Sequence, residues 1–382
     1  MTDLPLTKLA ETATTITLGW TPIPCLGYVL YADGVRKSNS WDQQKSSWKT
    51  AKATEIKVVA LGTAAEGVYP PLVPPPVFGS EIPVPFPEQT GPTVEVTTVA
   101  QLNAALANGG RIRVRGQITV GTQINATIVK PNTHLYGLPG DGIVGRVLVQ
   151  ADYARIQGLE IHGSDFDAVK IADGKPVKMV DIVDCHLHDV GDQGVLSGFS
   201  VSSDIWVRDC LIENVGLTPY PGVADGHCIY TGGPTSRWTI IGNVLRPKAF
   251  GVQCYPGPTD VLVSQNTIYG GDVRGGIVAY TTTGIRIVGN IIVLSKSAAF
   301  EIGSSTTGTA DDCVVWMCAQ GTWAPGYAQL PGGNVVTADP LFVDAAAGDF
   351  RLQPGSPARS FVRATQWDWV RSADGGPARL AV

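Results

Sequence analysis

The acidic residues of one stretch are the first feature of this sequence that could carry chemistry. Between residues 165 and 225 there are eleven Asp and Glu side chains but only four Lys and Arg side chains. Carboxylate oxygens are the ligands that Ca²⁺ prefers, and a bound cation acidifies the proton next to the carboxylate of a uronic acid. A nearby Lys or Arg that removes this proton would complete the β-elimination that cleaves uronic-acid glycans.

Several of these side chains come shortly before a short apolar segment, at the same point of successive repeats. The pattern predicts one edge with these candidate glycan-groove residues: Asp165, Asp167, Asp192, Asp225, His227 and Tyr230. Within it, Asp165, Asp167 and Asp192 are the candidate metal ligands, and Lys170 is the candidate base. Asp is also common at turns, where it bonds to its own backbone, and this favours solvated turn carboxylates over a lyase site. Glycan binding without cleavage is the third interpretation.

The composition excludes three classes of protein. The 382 residues suggest two or three domains, at about 100–200 residues each. An apolar fraction of 44% with a net charge of only -5 excludes a disordered chain. The 45 Gly and 27 Pro exclude a long helical protein, and 28 Lys and Arg against 33 Asp and Glu do not favour nucleic-acid binding. A Gly-, Val- and Thr-rich chain of this kind is typical of an all-β fold.

The sequence also predicts where the protein is made. The first residues have no basic segment followed by a long apolar run, so we expect no secretory signal. No apolar stretch approaches the roughly 18 residues of a membrane span, so we expect no membrane insertion. The seven cysteines form no CxxC pair, and the closest two are Cys313 and Cys318. This usage indicates reduced thiols in a cytoplasm.

From about residue 95 the chain repeats the pattern apolar-x-apolar-x-x-Asn/Cys-x-apolar, with Leu159 in the Asn/Cys position of the first repeat. The segments are 154–161, 180–187, 205–212, 238–245, 261–268, 285–292 and a degenerate 313–318. A second apolar column follows at Val169, Val195, Ile229, Val252, Ile277 and Phe300. One unit of this size cannot close a core, but stacked units bury a continuous apolar column. The sequence therefore predicts a right-handed parallel β-helix.

The position shared by Asn243, Asn266 and Asn290, with cysteines in register at residues 185, 210 and 318, predicts a ladder of side chains at a tight turn. An Asn there is expected to adopt the left-handed conformation and to bond its neighbours above and below. A row of small residues precedes the second column: Ala168, Gly194, Cys228, Gly251, Gly276 and Ala299. This row either leaves a smooth outward trough for a sugar chain or meets a steric need of each turn.

Tryptophans are candidates for stacking on sugar rings. They are Trp206, Trp316, Trp323, Trp367 and Trp369. Trp238 lies in an inward column, so we expect it in the core. Packing is also the more frequent role of tryptophan, and it stays open for the others.

Several segments resemble the pectate-lyase superfamily of β-helices. Residues 96–106 resemble its capping segment, 109–116 and 132–137 its first coils, and 339–358 a closing segment. The resemblance covers about residues 95–360 and implies the fold. The Arg-x-Pro-x-x-Arg segment that supplies the base in pectate lyases is absent, since the nearest sequence is Arg246-Pro247-Lys248. The polygalacturonase signatures are absent too, and this weakens the expectation of activity.

The N-terminal part resembles other proteins. Residues 1–62 resemble a shortened fibronectin type III sandwich, with period-two strands at 14–20 and 27–31. Residues 63–93 are predicted to be a proline-rich, semi-rigid linker, and 361–382 a C-terminal tail after the β-helix at 94–360. The start of the chain is also similar to minor tail proteins of phages that infect actinobacteria.

These resemblances imply a function. They imply a virion protein at the tail tip, attached to other tail proteins by its N-terminal domain and presenting the β-helix to host cell-surface polysaccharide. A homotrimer is implied by analogy with such tails, and no cofactor is required. A polysaccharide lyase or hydrolase that uses calcium at the acidic edge is the alternative from another class, and a purely structural spacer is the third.

Overall fold

The structure is a computed structural model of the whole chain. The described residues are 91–197, 200–217 and 226–360, with the shorter segments 2–3, 5–12, 15–19, 27–32, 35–40, 47–51, 56–61, 369–371 and 377–379. The chain divides into two compact units, residues 1–80 with 379–382 and residues 81–378. Residues 62–90, which hold most of the predicted proline-rich linker, lie outside the described residues. The bounds of the four segments predicted in the sequence analysis therefore stay predictions.

The described strands of the first unit form two antiparallel sheets. One sheet has the order Thr2–Asp3, Ile56–Leu61, Gly27–Ala32, Val35–Ser40. The other has the order Thr7–Glu11, Thr15–Gly19, Ser47–Ala51. Two antiparallel sheets agree with an all-β domain, and the finer assignment to a fibronectin type III sandwich stays a prediction.

The second unit is a solenoid in which each coil contributes strands to three parallel faces. The first face consists of Thr93–Val96, Arg111–Val114, His134–Tyr136, Ala154–Gln157, Val177–Val183, Ser202–Arg208, Thr235–Ile241, Thr259–Ser264, Thr283–Val288 and Thr307–Asp311. The second face follows it, with Glu160–His162, His186–Val190, Leu211–Val215, Val244–Arg246, Thr267–Tyr269, Ile291–Val293, Val314–Trp316 and Val336–Thr337. The third face has Val169–Ile171, Val195–Ser197, Ile229–Tyr230, Val252–Cys254, Ile277–Ala279 and Phe300–Ile302.

Two long strands join the second and third faces near the start of the stack. Gly142–Val149 pairs with Glu160–His162 through its first half and with Val169–Ile171 through its second half. Gln117–Ile128 pairs along its other side. In the part of the chain that the structure describes, the faces complete about nine coils.

The interior is filled by columns of apolar side chains that recur from coil to coil. Val180, Ile205, Trp238 and Val261 are in register on the first face, and each is fully buried. The predicted second column is also in register, on the third face: Val169, Val195, Ile229, Val252, Ile277 and Phe300. Neighbouring strands lie only about 4.8 Å apart, so each inward position stacks directly on its neighbours and holds an apolar side chain.

The asparagine ladder lies at the turn between the first and second faces, but the turn differs from the prediction. The left-handed residue is the one before each ladder position, as at Gly242 (φ 71°), Gln265 (φ 58°) and Gly289 (φ 66°). This residue reverses the chain and directs the following Asn side chain inward. The last ladder position is also Cys313, not Cys318, because Ile291 pairs with Val314. The sequence pattern does not reveal the strand Thr307–Asp311, and the predicted final repeat is therefore out of register.

Both the open start and one outer face of the solenoid are covered. The helix Val99–Asn108 begins at the N-cap Thr98 and buries Leu102, Ala105 and Leu106 against the first coil, as the predicted capping segment requires. After the coils come the hairpin Phe342–Asp344 and Asp349–Leu352 and the 3₁₀ turn Pro357–Ser360.

This C-terminal hairpin packs on the outer side of the second face. Phe350 contacts Leu211 and Val244 in one apolar cluster. Leu352 and Ala358 contact the later strands of the same face. Two more short strands, Trp369–Arg371 and Pro377–Arg379, follow. Among the described residues, no helix is long and apolar enough to cross a membrane.

Candidate functional site

The third face presents one column of side chains to its outer side. Strand register places its members one above another: Leu148, Lys170, Leu196, Tyr230, Gln253, Val278 and Glu301. They point outward because the residues on either side of each, such as Val169 and Ile171, fill the core. We call this set the outward column. It brings Lys170 and Tyr230, both named from the sequence, to the same face two coils apart. These two residues and Gln253 are partly exposed, whereas the other four members of the column are buried.

A ladder of polar side chains lines the corner just before the third face. The backbone N–H of Gln193 donates to Asp167 Oδ1 at 3.4 Å, and the Gln193 side chain accepts from the N–H of His227 at 2.7 Å. His227 Nδ1 in turn accepts from the N–H of Phe250 at 3.2 Å. These bonds connect four successive coils. The first role of Asp167 and His227 is therefore to satisfy backbone groups at this corner.

Asp167 is nonetheless an unusual carboxyl. It is 2% exposed, and burial together with the nearby charge of Asp192 raises its pKa to about 7. Arg146, whose guanidinium lies 3.6 Å away, opposes this shift but does not cancel it. A carboxyl with a pKa near neutrality can exchange protons at physiological pH.

His227 has the opposite electrostatic character. Burial, with a smaller contribution from the positive charge of Arg274, lowers its pKa to about 3. Its ring stacks on Phe250 at 5.6 Å between centroids and meets the edge of Tyr230 at 5.5 Å. His227 is therefore neutral under ordinary conditions, and it supports Tyr230 from below.

The remaining residues predicted from the sequence are spread out. Asp165 accepts hydrogen bonds from Thr122 and Gln123, on an earlier coil, at 3.1 and 3.0 Å. Lys170 forms an ion pair with Asp173 at 3.2 Å. Asp225 lies outside the described residues. The structure thus brings Asp167 near Asp192 and His227 near Tyr230.

The described residues do not gather the three candidate calcium ligands into one cluster. Only one group of three or more His, Cys, Asp and Glu side chains in the described ranges has its ligand atoms within 4.8 Å of one another. It consists of Glu160, His186 and His188, on the second face. A calcium site at Asp165, Asp167 and Asp192 stays a prediction.

The row of small residues does not form an outward trough. Ala168, Cys228 and Ala299 are fully buried members of the core cluster. A Cβ added to Gly194 would lie 2.3 Å from Ile212, and one on Gly276 would lie 2.2 Å from the carbonyl oxygen of Ala299. The row is small because the chain passes close to the neighbouring coil at this corner.

Three tyrosines, which sequence reasoning missed, lie just beyond the third face. Tyr255 and Tyr280 each follow a third-face strand, and their ring centroids are 6.0 Å apart. Tyr327 lies 6.0 Å from Tyr280 on the other side. Tyr255 is 45% exposed and Tyr327 is 41% exposed. We call these residues the tyrosine row.

A glycine completes this arrangement. Gly303 takes the place that Tyr280 has one coil earlier, and a Cβ there would lie 2.6 Å from the Tyr280 ring. The absent side chain leaves room for that ring. Burial and the adjacent hydroxyl of Tyr327 raise the pKa of Tyr280 well above its ordinary value, so Tyr280 stays a neutral hydrogen-bonding group. The signal in the sequence was the equal distance of Tyr255 and Tyr280 from Val252 and Ile277.

The tryptophans proposed for sugar stacking contribute less. Trp206 is buried, and Trp323 packs against Phe300 with centroids 4.9 Å apart. Trp316 packs near the C-terminal hairpin. Trp238 is fully buried, as expected for the core. Trp367 lies outside the described residues, and for Trp369 only the strand is described.

Three parallel faces around stacked inward columns define a right-handed parallel β-helix. The family model described as a right handed beta helix region matches residues 141–324. This agrees with the fold expected from the repeats. No curated protein matches the chain.

Several solved structures are similar to this chain at low identity. Pectate lyase Pel9A is 11% identical with a TM-score of 0.50, over 66% of this chain and 84% of that one. An alginate lyase from Paenibacillus sp. str. FPU-7 is 18% identical with a TM-score of 0.44, over 64% of this chain and 99% of that one. The tailspike gp61 of Pseudomonas phage phi297 is 12% identical with a TM-score of 0.36, over 87% of this chain and 55% of that one. At such identities the likeness is one of fold, and function rests on the site itself.

Proposed function

We propose that this protein binds an extended polysaccharide along the third face of its β-helix. The observation that carries the proposal is the tyrosine row, in which two exposed rings flank a third at spacings of 6.0 Å. An exposed aromatic ring offers an apolar surface for the C–H face of a sugar, and its hydroxyl can bond to the sugar's hydroxyls. Rings fixed by one another lose little freedom when a ligand binds.

The outward column extends this surface toward the start of the helix. Tyr230, Gln253 and Lys170 supply polar groups on successive or nearby coils. Because coils are about 4.8 Å apart, such groups recur along the solenoid at roughly the length of one sugar residue. A linear glycan lying along the stack could therefore bond to several coils in turn.

We further propose that the protein acts at a phage tail tip, attached to other tail proteins by its N-terminal domain. The support is the similarity of the N-terminal sequence to minor tail proteins and its place in a compact unit of its own. The ligand would then be a polysaccharide of the host cell surface. A homotrimer belongs to the same proposal, and sedimentation of the purified chain would test it.

Binding to candidate glycans tests the proposal directly. The full chain would be titrated with pectate, alginate and purified actinobacterial wall polysaccharide, alongside Tyr255→Ala and a control, Tyr136→Ala, on the first face. We expect binding to at least one glycan, weakened about tenfold by the Tyr255 change and unaffected by the control. Absence of binding to all of them would favour a structural spacer. If Tyr255→Ala binds the glycan as tightly as the parent chain, the tyrosine row is not the binding surface.

Polysaccharide cleavage is a second candidate function, favoured by the pKa of about 7 at Asp167 beside Asp192. Glycoside hydrolysis uses a pair of carboxyl groups, one of which is an acid with a raised pKa. Asp167 is only 2% exposed, however, so a substrate would need to displace the side chains around it. Incubation with the same glycans, with assay of reducing ends and unsaturated products, tests this candidate. If the parent chain cleaves a glycan and Asp167→Asn or Lys170→Ala abolishes this cleavage, the protein is an enzyme and the binding proposal is wrong.

A further inference from the structure

A second group of chemically active side chains lies on the outer side of the second face, away from the tyrosine row. His186 and His188 are two positions apart on one strand, so both side chains project to the same side. Strand pairing places Glu160 beside His186 and His162 beside His188 on the preceding coil. Glu213 is beside His188 on the following coil. Three coils thus contribute to a single patch.

The side chains of this patch are within bonding distance of one another. Nε2 of His188 lies 2.9 Å from Glu160 Oε1, and Nε2 of His186 lies 3.1 Å from Glu213 Oε1. The rings of His186 and His188 stack with centroids 3.9 Å apart. One ligand atom each from Glu160, His186 and His188 lie within 4.8 Å of one another.

His186 has a ring nitrogen that the described structure leaves unsatisfied. The residue is 3% exposed, and its Nδ1 is buried with no hydrogen-bond partner among the described residues. A buried polar atom without a partner costs about 1–3 kcal/mol. Coordination through Nδ1 would supply the missing partner.

Further polar groups hold the patch in place. Gln117 donates to the second oxygen of Glu160 at 2.6 Å, and Asp189 lies 2.8 Å from Nδ1 of His188. Asn214 bonds to Asp189 in turn. Carboxylates that accept from the second nitrogen of a metal-binding histidine orient its ring and increase its basicity. The arrangement is therefore a set of three ligands with its own supporting bonds.

We propose that Glu160, His186 and His188 form a binding site for a transition-metal dication of the Zn²⁺ type. Two imidazoles and one carboxylate suit such ions, whereas Ca²⁺ and Mg²⁺ prefer oxygen ligands alone. Ligand bonds of about 2.0–2.1 Å put the ligand atoms of a tetrahedral Zn²⁺ somewhat more than 3 Å apart. The ion would therefore replace the His188–Glu160 hydrogen bond after a small movement of the side chains. This site is independent of polysaccharide binding.

Metal binding by the full, tag-free chain tests the proposal. After treatment with chelator and dialysis under reducing conditions, the protein would be titrated with Zn²⁺ or Co²⁺ alone. We expect one equivalent of bound metal by mass spectrometry, a rise in melting temperature, and a Co²⁺ absorption spectrum typical of nitrogen and oxygen ligands. Glu160→Gln and His188→Gln should each weaken binding by more than about tenfold.

A matched control and the folding of each variant complete the design. His134→Gln changes a histidine on the outer side of the first face and should bind metal like the parent chain. Glu160 is partly exposed, so Glu160→Gln keeps the test valid even if a histidine variant does not fold. Circular dichroism of each metal-free variant checks the fold. Absence of stoichiometric binding, full binding by Glu160→Gln, or a thiolate-to-cobalt band in the spectrum would each overturn the proposal.

Discussion

Asn266 serves as the acceptor for two groups of Asn243, one coil earlier. Its Oδ1 receives the backbone N–H of Asn243 at 3.0 Å and the side-chain Nδ2 of Asn243 at 2.9 Å. The same pair of bonds recurs between Asn266 and Asn290, both at 3.0 Å. Each amide thereby bonds to groups of the preceding coil and of the following coil. The ladder is a series of coupled bonds, so losing one member affects two coils.

Replacing Asn266 by Ala should destabilise the β-helix. The change leaves the N–H of Asn243 and the carbonyl of Ile240 without their partners in a fully buried turn. We expect a loss of about 2–4 kcal/mol in the free energy of unfolding, measured by urea denaturation. Asn103→Ala is the control, since Asn103 is exposed on the helix Val99–Asn108. Equal effects of the two changes would contradict the ladder's role.

Gly303→Ala should weaken glycan binding without unfolding the protein. The new Cβ would lie 2.6 Å from the Tyr280 ring, which must then rotate out of the tyrosine row. We expect affinity for the bound glycan to fall about fivefold, a size typical of one aromatic contact. Gly333→Ala is the control, because a Cβ there meets nothing within 4 Å. Glycan titration together with a melting curve separates loss of binding from loss of fold, and unchanged affinity would count against the tyrosine row.

His227 should make the protein less stable in acid. Its pKa is about 3 when folded and about 6.5 when unfolded, so the unfolded chain takes up a proton first as the pH falls. Its contribution is fully present above pH 6.5 and is lost progressively toward pH 3, by an amount on the order of a few kcal/mol. His227→Asn keeps an acceptor for the N–H of Phe250 but has no proton to gain. We expect the free energy of unfolding to fall less steeply with decreasing pH in this variant than in the parent chain. A His227 imidazole that titrates near pH 6.5 by NMR in the folded parent chain would contradict this prediction.

Asp167 should make the protein less stable as the pH rises, which is opposite to the effect of His227. Its folded pKa of about 7 lies above the usual 3.8, so the folded state binds the proton more tightly. The stabilisation is complete below about pH 4 and is lost as the pH rises to about 7, on the order of a few kcal/mol. Asp167→Asn fixes the neutral state. We therefore expect the stability of the variant relative to the parent, measured as the free energy of unfolding, to increase from pH 4 to pH 7.5. A difference that stays constant over this range would show that Asp167 ionises normally.

The sequence was most informative where one residue must match its neighbours on adjacent coils. Val169, Val195 and Ile229 share a column because the interior permits only apolar side chains there. The same rule identified the asparagine ladder, and it failed at Cys318 because the final first-face strand holds the small, polar Thr307-Gly308-Thr309. Without an apolar pattern, the repeat could not be counted.

The candidate sites were harder to predict because outward positions carry no such restriction. Glu160 and His188 meet only because consecutive coils stack in register, which a linear reading of the sequence does not display. Tyr327 joins the tyrosine row from an irregular segment after the last third-face strand. Asp167 and His227 are both buried at the corner before the third face, and the sequence pattern does not predict this burial because it depends on the side chains packed over the corner.

The C-terminal hairpin has a consequence for how the protein is made. Phe350 and Leu352 cover an apolar strip on the outer side of the second face, yet in the sequence they come after the last coil. A ribosome therefore completes the whole solenoid before the hairpin emerges. The nascent chain exposes this apolar strip to solvent until the hairpin packs on it. Premature termination within the coils would leave the strip permanently exposed. Such fragments should therefore aggregate under conditions in which the full-length protein stays in solution.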